Sequence, residues 1–227
     1  MRLKILLGAA LLALAAAAPA LDLSALSSAD ASAGLKKALD QGINQAVAKL
    51  GTAGGFLDNP QVKIPLPPKL AKAESLMRMM GLGDQADQLI DSMNRAAEAA
   101  VPESKVLLKR ALKQMSVTDA KQILTGGDDA ATQYFKRVTT EPLQERFKPI
   151  VAKATQKVKL AQQYNRIADK GVQLGLLKPE DASIESYVTQ KTLDGLYLMM
   201  ADEERAIRKD PLGQASKLLK KVFGAVQ

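Results

Sequence analysis

Apolar residues recur at three- and four-residue spacing along most of the chain, which is the pattern of amphipathic helices. The best-defined example lies at about 184–209, where apolar residues occupy two opposite sides of the helix. One side carries Leu193, Leu196, Tyr197, Met200 and Ile207, and the other carries Val188, Gly195, Met199 and Ala206. Because a helix that is apolar on both sides is normally buried, we predict a central helix with other helices packed around it.

The rest of the pattern predicts further helices joined by short connectors, with almost no β-strand signal. Gly51 is expected to end the first helix in the left-handed conformation, and Pro102 to separate the third helix from the fourth. Asp128 or Asp129 is expected to start a helix after the Gly126-Gly127 pair. A long helix is then expected from Pro142 to about Lys170, kinked or broken at Pro149, and a last amphipathic helix carries Leu218, Leu219, Val222 and Phe223. The predicted fold class is therefore all-α, a multi-helix bundle of about eight or nine helices forming a single domain over residues 30–227.

The first twenty residues have the features of a secretory signal peptide. Arg2 and Lys4 precede an apolar run, and small residues at 18–20 offer a cleavage point near Ala20. The apolar run is shorter than the ~20 residues of a membrane-spanning helix, so export with cleavage is favoured over a membrane anchor. We expect a periplasmic protein, with residues 21–29 as a connector to the domain.

Composition excludes several classes of chemistry. The chain contains no His and no Cys. It therefore has no Ser-His-Asp or Cys-His machinery, no thiolate nucleophile and no zinc site of the usual kind. Carboxylate-only sites for hard cations such as calcium stay open, but no EF-hand-type loop is present. The sequence assigns no catalytic residue, no metal site and no cofactor.

The positive charge is concentrated in one segment. The formal net charge is +8, and residues 136–178 hold ten basic and three acidic residues, a net +7. A solvated face that aids solubility is one interpretation. The other is contact with an anionic membrane surface or an acidic polymer, since an exported protein does not ordinarily meet nucleic acid. The candidates for this contact are Lys148, Lys159, Arg166 and Lys170.

Glu204 is the carboxylate that the pattern leaves unexplained, because it falls inside an apolar stripe of the central helix. Arg208, one turn away, is its nearest partner, and Arg95 reaches it only if the third helix packs alongside. The simpler interpretation is a structural ion pair. The alternative is that Glu204, Glu203, Asp194 and Glu98 form a carboxylate group for acid/base work or for holding a cation. The candidate ligand-binding residues, at the meeting point with the third helix, are then Glu204, Arg208, Glu203, Asp194, Arg95, Glu98, Asn94 and Tyr187.

Two further polar groups have simple structural interpretations. The polar side of the third helix, with Asp91, Asn94, Arg95 and Glu98, is interpreted as a solvated face. Hydroxyls near apolar faces are expected to bond neighbouring carbonyls or other helices rather than to react: Thr132, Tyr134, Thr139, Tyr187 and Thr189.

Several local strings resemble an exported bacterial family called domain of unknown function 4197. They are KIPLP at 63–67, NRAAE at 94–98, DAKQILTGGDDAATQYFKRVT at 119–139, YVTQKTLDGL at 187–196, EERAIRKDP at 203–211 and LLKKVFG at 218–224. The resemblance covers essentially all of the chain after the signal peptide. It implies an exported helical domain and carries no assigned activity.

Together these observations favour a non-enzymatic protein that binds an apolar or amphipathic ligand, or a lipid or other partner at the cell envelope. An enzyme that uses carboxylates and a pure protein-interaction scaffold are the alternatives. The sequence leaves the oligomeric state open.

Overall fold

The computed structural model describes residues 28–173 and 183–209, and no strand forms in these two ranges. They contain seven helices: α1 (Ser28–Leu50), α2 (Pro68–Met79), α3 (Gly83–Gln114), α4 (Val117–Leu124), α5 (Ala130–Thr155), α6 (Lys159–Gln173) and α7 (Ile184–Lys209). The predicted signal peptide (1–20) and last helix lie outside the described residues. The predicted all-α bundle is confirmed.

Four long helices, α1, α3, α5 and α7, form an antiparallel bundle in which each runs opposite to the next. The Lys36 ammonium in the first half of α1 donates to the Met115 carbonyl just after α3, and Asp40 in the middle of α1 pairs with Lys109 near the end of α3. The Tyr134 hydroxyl of α5 donates to the Ala111 carbonyl of α3. Near the other end of α5, Thr155 donates to Glu185 in the first turn of α7. This up-down-up-down order is common in four-helix bundles.

The short helices lie in the connections between the long ones. Helices α1 and α5 run in the same direction, and α2 follows α1 just as α6 follows α5. Helices α2 and α6 therefore lie at the same end of the bundle, which we call the α2–α6 end, and α4 lies at the opposite end. The α4 helix begins with a capping box, in which Asp119 and Ser116 bond each other's backbone N–H.

The predicted central helix, α7, is buried on two sides and packs against α1, α3, α5 and α6. Ser183 caps its start, since the Ser183 hydroxyl accepts a hydrogen bond from the Ser186 N–H. Of the nine apolar residues predicted on the two sides, only Ala206 is exposed. The periodicity of the sequence therefore identified the burial of this helix correctly.

The expected helix boundaries at Pro102 and Pro142 were wrong, and Pro149 does not break its helix, which leaves the expected kink as the open alternative there. Helix α3 continues through Pro102, and α5 continues through both Pro142 and Pro149. These prolines are exposed or half-exposed, so water can reach the carbonyl that loses its partner in the preceding turn. The break comes instead at residues 156–158, where the Gln162 side chain donates to the Gln156 carbonyl. The described part of the chain consequently has fewer helices than the eight or nine predicted for the whole.

Gly51 does not end α1 in the left-handed conformation, since positive φ angles occur only at Gly54 and Gly81 among the described residues. It is required by close packing instead. A Cβ atom on Gly51 would lie 2.9 Å from Cγ of Pro102, closer than a side chain tolerates.

The chain after α1 makes turns over residues 53–58 and 60–62 and is extended over 63–67. Residues 56–66, which we call the α1–α2 connector, contact α3 and α7 and lead towards the α2–α6 end. Phe56 is fully buried, and a Cβ atom on Gly195 of α7 would lie 2.8 Å from its ring. Val62, Ile64 and Leu66 are buried too, so the alternating pattern of this segment places every second side chain in the core. The α1–α2 connector is followed by α2.

Candidate functional site

Glu204 is buried, with 5% of its surface exposed, and it binds the first turn of α5. Its Oε1 accepts from the Ala131 N–H at 2.9 Å, and its Oε2 accepts from the N–H and the hydroxyl of Thr132, both at 2.9 Å. Because the N-terminal N–H groups of a helix lack partners within the helix, this carboxylate caps α5 from a different helix.

Arg208 completes the arrangement, as predicted from its position one turn away. Its Nη2 lies 2.8 Å from Glu204 Oε1 and also donates to the Ile123 carbonyl at the end of α4. Asp129, which was expected to cap α5, makes no capping hydrogen bond and instead accepts from the Gln133 side chain. Glu204 and Arg208 thus join α7 to the α4–α5 junction. The expectation that Glu204 meets the third helix was wrong, since its contacts are with α5.

The cavity beside Glu204 is too small for an organic ligand. It has a volume of about 20 Å³ and is lined mainly by apolar side chains of α1, α5 and α7. A volume of this size holds about one water molecule. The contacts of Glu204 therefore support a structural role.

Asn94 and Glu98 of α3 are also buried, so the interpretation of this side of α3 as solvated is wrong for them. Asn94 Oδ1 accepts from the Ile64 N–H at 2.8 Å, and its Nδ2 donates to the Ile64 and Ile90 carbonyls. Glu98 Oε1 accepts from the N–H groups of Phe56 and Leu57. Asn94 and Glu98 thus supply hydrogen-bonding partners for the backbone of the α1–α2 connector, which has no neighbouring strand in the described structure.

The other members of the predicted ligand-binding group are dispersed. Glu203 pairs with Lys49 of α1, Arg95 pairs with Asp91 on its own helix, and Asp194 accepts from Gln190. Tyr187 donates its hydroxyl to the Pro65 carbonyl. The structure therefore does not bring the eight predicted residues together around one space. Among the described residues no three carboxylates are placed to hold a metal ion.

Most of the predicted hydroxyls near apolar faces hydrogen-bond carbonyls or other helices, as expected. The Tyr197 hydroxyl does the same, although it was not predicted. The Tyr197 hydroxyl lies 2.9 Å from Thr139 Oγ1 and 3.2 Å from Thr140 Oγ1, in the interface between α5 and α7. Thr189 is the exception, since its buried hydroxyl has no hydrogen-bond partner.

Burial raises the pKa of Tyr197 above its usual value near 10, against the opposing effect of the two threonine hydroxyls. A raised pKa in the folded state gives stability below the unfolded pKa, and that stability is lost as the pH rises. We expect wild type to lose stability relative to Tyr197→Phe between about pH 8 and about pH 11. Urea unfolding at both values checks this, and parallel behaviour of the two proteins would contradict it.

Helix α2 is the most unusual surface element, because none of its residues is buried. Leu70 and Met77 pack partly against the core, whereas Leu76 is 58% exposed, Met79 is 83% exposed and the following Met80 is 65% exposed. At 100° per residue, these three exposed side chains share one side of the helix with Lys69 and Lys72. We call these five residues the α2 arc. The sequence pattern identified the helix but not that this apolar side faces solvent.

The predicted anionic-contact residues lie at or near the same end of the bundle. Lys148 is in the second half of α5, and Lys159 and Arg166 are in α6; all three are exposed. Beside Arg166, Ile167 is 73% exposed. The side chain of Lys170 lies outside the described residues. Exposed apolar and basic side chains are thus combined at the α2–α6 end.

A groove of about 490 Å³ lies next to the α2 arc, between the start of α2 and the N-terminal half of α7. Apolar side chains predominate in its lining, which is formed by Pro65, Leu66, Pro68, Ala71, Tyr187, Gln190 and Lys191. Tyr187 is the one member of the predicted ligand-binding group that lines it. No described helix is both long and apolar enough to cross a membrane.

Comparison with known proteins gives one match. The family model described as "Protein of unknown function (DUF4197)" matches residues 25–224. No curated protein and no solved structure matches the chain.

Proposed function

The chain belongs to the DUF4197 family of proteins of unknown function, and we propose that it binds anionic lipid surfaces of the cell envelope through its α2–α6 end. The proposal includes export, with removal of residues 1–20, and a non-enzymatic role. Its target is the periplasmic surface of an anionic membrane.

The observation that carries the proposal is the exposed α2 arc. A surface helix of a globular protein normally buries one apolar stripe, yet α2 leaves its large apolar side chains in water and intersperses them with two lysines. Helices that lie in a membrane interface combine these features, with apolar side chains inserted and lysine side chains reaching the headgroups. Full burial of an apolar side chain of this size contributes about 1.5–3 kcal/mol.

Charge supports the same surface. A basic residue close to an anionic membrane contributes about 1 kcal/mol, so Lys69 and Lys72 together add about 2 kcal/mol. Lys148, Lys159 and Arg166 would add long-range attraction if they face the same surface, and this attraction is reduced by salt. The expected binding is reversible.

The carboxylate-enzyme alternative is weakened by the hydrogen bonds of its candidates. Glu204 and Glu98 bind backbone N–H groups, and the space beside Glu204 admits about one water. A carboxylate held in this way has little freedom to exchange protons with a substrate.

Vesicle flotation tests the proposal. We expect the chain spanning 21–227 to float with vesicles of phosphatidylglycerol and phosphatidylcholine, and to bind pure phosphatidylcholine much more weakly. Leu76→Ser with Met79→Ser should weaken binding at least tenfold, because about 1.4 kcal/mol of apolar transfer corresponds to that factor.

The matched control is Val106→Ser with Val117→Ser, since these valines are 66% and 54% exposed but lie away from the α2–α6 end. The control should bind like wild type. If both double variants bind equally well, the α2 arc is not the docking surface. Changing Lys148, Lys159 and Arg166 to Gln should weaken binding and reduce its salt dependence, and unchanged binding would remove these residues from the proposal.

A further inference from the structure

We infer that the groove between α2 and α7 holds one acyl chain of an anionic phospholipid, with the lipid phosphate at Lys191. This inference rests on the proposed function, because the lipid would enter the groove from the membrane that the α2 arc contacts. It adds a specific binding site for one lipid molecule to a surface that otherwise only contacts the membrane.

The shape and lining of the groove suit an apolar chain. Its volume of about 490 Å³ falls within the range of about 300–1,000 Å³ that is common for small-molecule sites. Leu66 and the Tyr187 ring, both buried, form its floor, and Pro65, Pro68 and Ala71 form the wall that belongs to the α2 side. These side chains offer a nearly continuous apolar surface.

The polar groups of the lining lie on the α7 side of the groove. The Lys191 Nζ lies 5.9 Å from the centre of the Tyr187 ring and 3.8 Å from Asp194 Oδ2. Because both partners of the Lys191–Asp194 pair are nearly half exposed, that ion pair is weak and leaves the ammonium able to bind a phosphate. Lys191 is also the only cation among the residues that line the groove.

The groove lies close to the α2 arc, so a membrane bound at the arc is the source of the lipid. Pro68 and Ala71 line the groove, and Lys69 and Lys72 of the α2 arc are their neighbours in the chain. The apolar members of the arc lie about one to three turns further along the same helix. A bilayer that covers the arc therefore comes close to the mouth of the groove. An acyl chain can then move from the bilayer into the groove over a short distance, without crossing the core of the bundle.

Native mass spectrometry after exposure to vesicles tests the inference. The chain spanning 21–227 is mixed with phosphatidylglycerol vesicles, separated from them and weighed intact. We expect wild type to retain one phosphatidylglycerol per chain, and Ala71→Trp, which fills the groove, to retain at least tenfold less. Ala99→Trp is the matched control, because Ala99 is an exposed alanine of α3 that does not line the groove, and it should retain lipid like wild type.

Lys191→Gln separates headgroup binding from chain binding. We expect this variant to lose the preference for phosphatidylglycerol over phosphatidylcholine while still retaining some lipid. Equal retention by Ala71→Trp and wild type would overturn the inference, as would a spectrum that shows a dimer of the chain without lipid. If wild type retains no lipid but still floats with vesicles, the groove site is wrong and the surface-binding proposal stands. Circular dichroism of each variant confirms that the helices are intact.

Discussion

Glu204→Ala is expected to lower the free energy of unfolding by about 3–5 kcal/mol, because it breaks a buried ion pair and leaves its partners without a counter-charge. Arg208 has only 15% of its side chain exposed, and the Ala131 and Thr132 N–H groups are buried. None of these three donors gains full access to water when the carboxylate is removed. Chemical denaturation of the two proteins, monitored by circular dichroism, measures the difference.

Glu203→Ala is the matched control for this experiment. Glu203 is also a buried carboxylate of α7, but its partner Lys49 has 58% of its side chain exposed. Lys49 can be hydrated once the pair is broken, so we expect a loss below about 1 kcal/mol. Similar losses in the two variants would show that Glu204 does not hold the α4–α5 junction.

Asn94→Leu is expected to cost about 2–6 kcal/mol, because it leaves the N–H and the carbonyl of Ile64 buried without partners at about 1–3 kcal/mol each. Leu has the same number and branching of side-chain heavy atoms as Asn, so the substitution removes the hydrogen-bonding groups while keeping the shape of the side chain. The amides of residues 57–66 should also exchange with deuterium faster in this variant, since the α1–α2 connector loses the bonds of Ile64 to α3. Hydrogen exchange followed by mass spectrometry measures this effect.

Asn44→Leu is the corresponding control on α1. Its Nδ2 bonds only the carbonyl and the side chain of Asp40 within its own helix, so we expect a change below about 1 kcal/mol. Unchanged exchange of 57–66 in Asn94→Leu would contradict the role assigned to Asn94.

The sequence predicts the burial of helices better than their ends. The two apolar sides of α7 are visible at helical spacing, because such periodicity reflects burial directly. By contrast, the break at residues 156–158 contains neither Gly nor Pro, whereas α3 and α5 contain prolines and continue. Whether a proline interrupts a helix depends on access of water and on packing, which are set by the tertiary structure.

Long-range polar contacts mark a second limit of sequence interpretation. Glu204 is recognisable as a carboxylate that burial alone does not explain, and its neighbour Arg208 follows from helical spacing. Its contact with Ala131 and Thr132 joins residues more than seventy positions apart, which periodicity cannot identify. Asn94 and Glu98 lie on a polar side of α3, which predicts exposure to solvent. The α1–α2 connector nevertheless covers them, and its backbone N–H groups donate to their side chains.

The α2 arc shows a third limit. An apolar stripe in a sequence predicts a covered face, and only the packing of neighbouring elements shows which stripes have no cover within the fold. In α2 no described segment covers Leu76 or Met79. The exposure of this apolar side makes the α2–α6 end a candidate site.

Tryptophan fluorescence at α2 tests the central proposal most directly. The chain contains no Trp, so Met79→Trp introduces a single reporter in the α2 arc and Val106→Trp introduces one away from the α2–α6 end. We predict that phosphatidylglycerol vesicles shift the emission of Met79→Trp to shorter wavelength and that brominated lipids quench it, while Val106→Trp is unaffected. Emission of Met79→Trp that does not change with vesicles, or equal shifts in both variants, would contradict docking through α2.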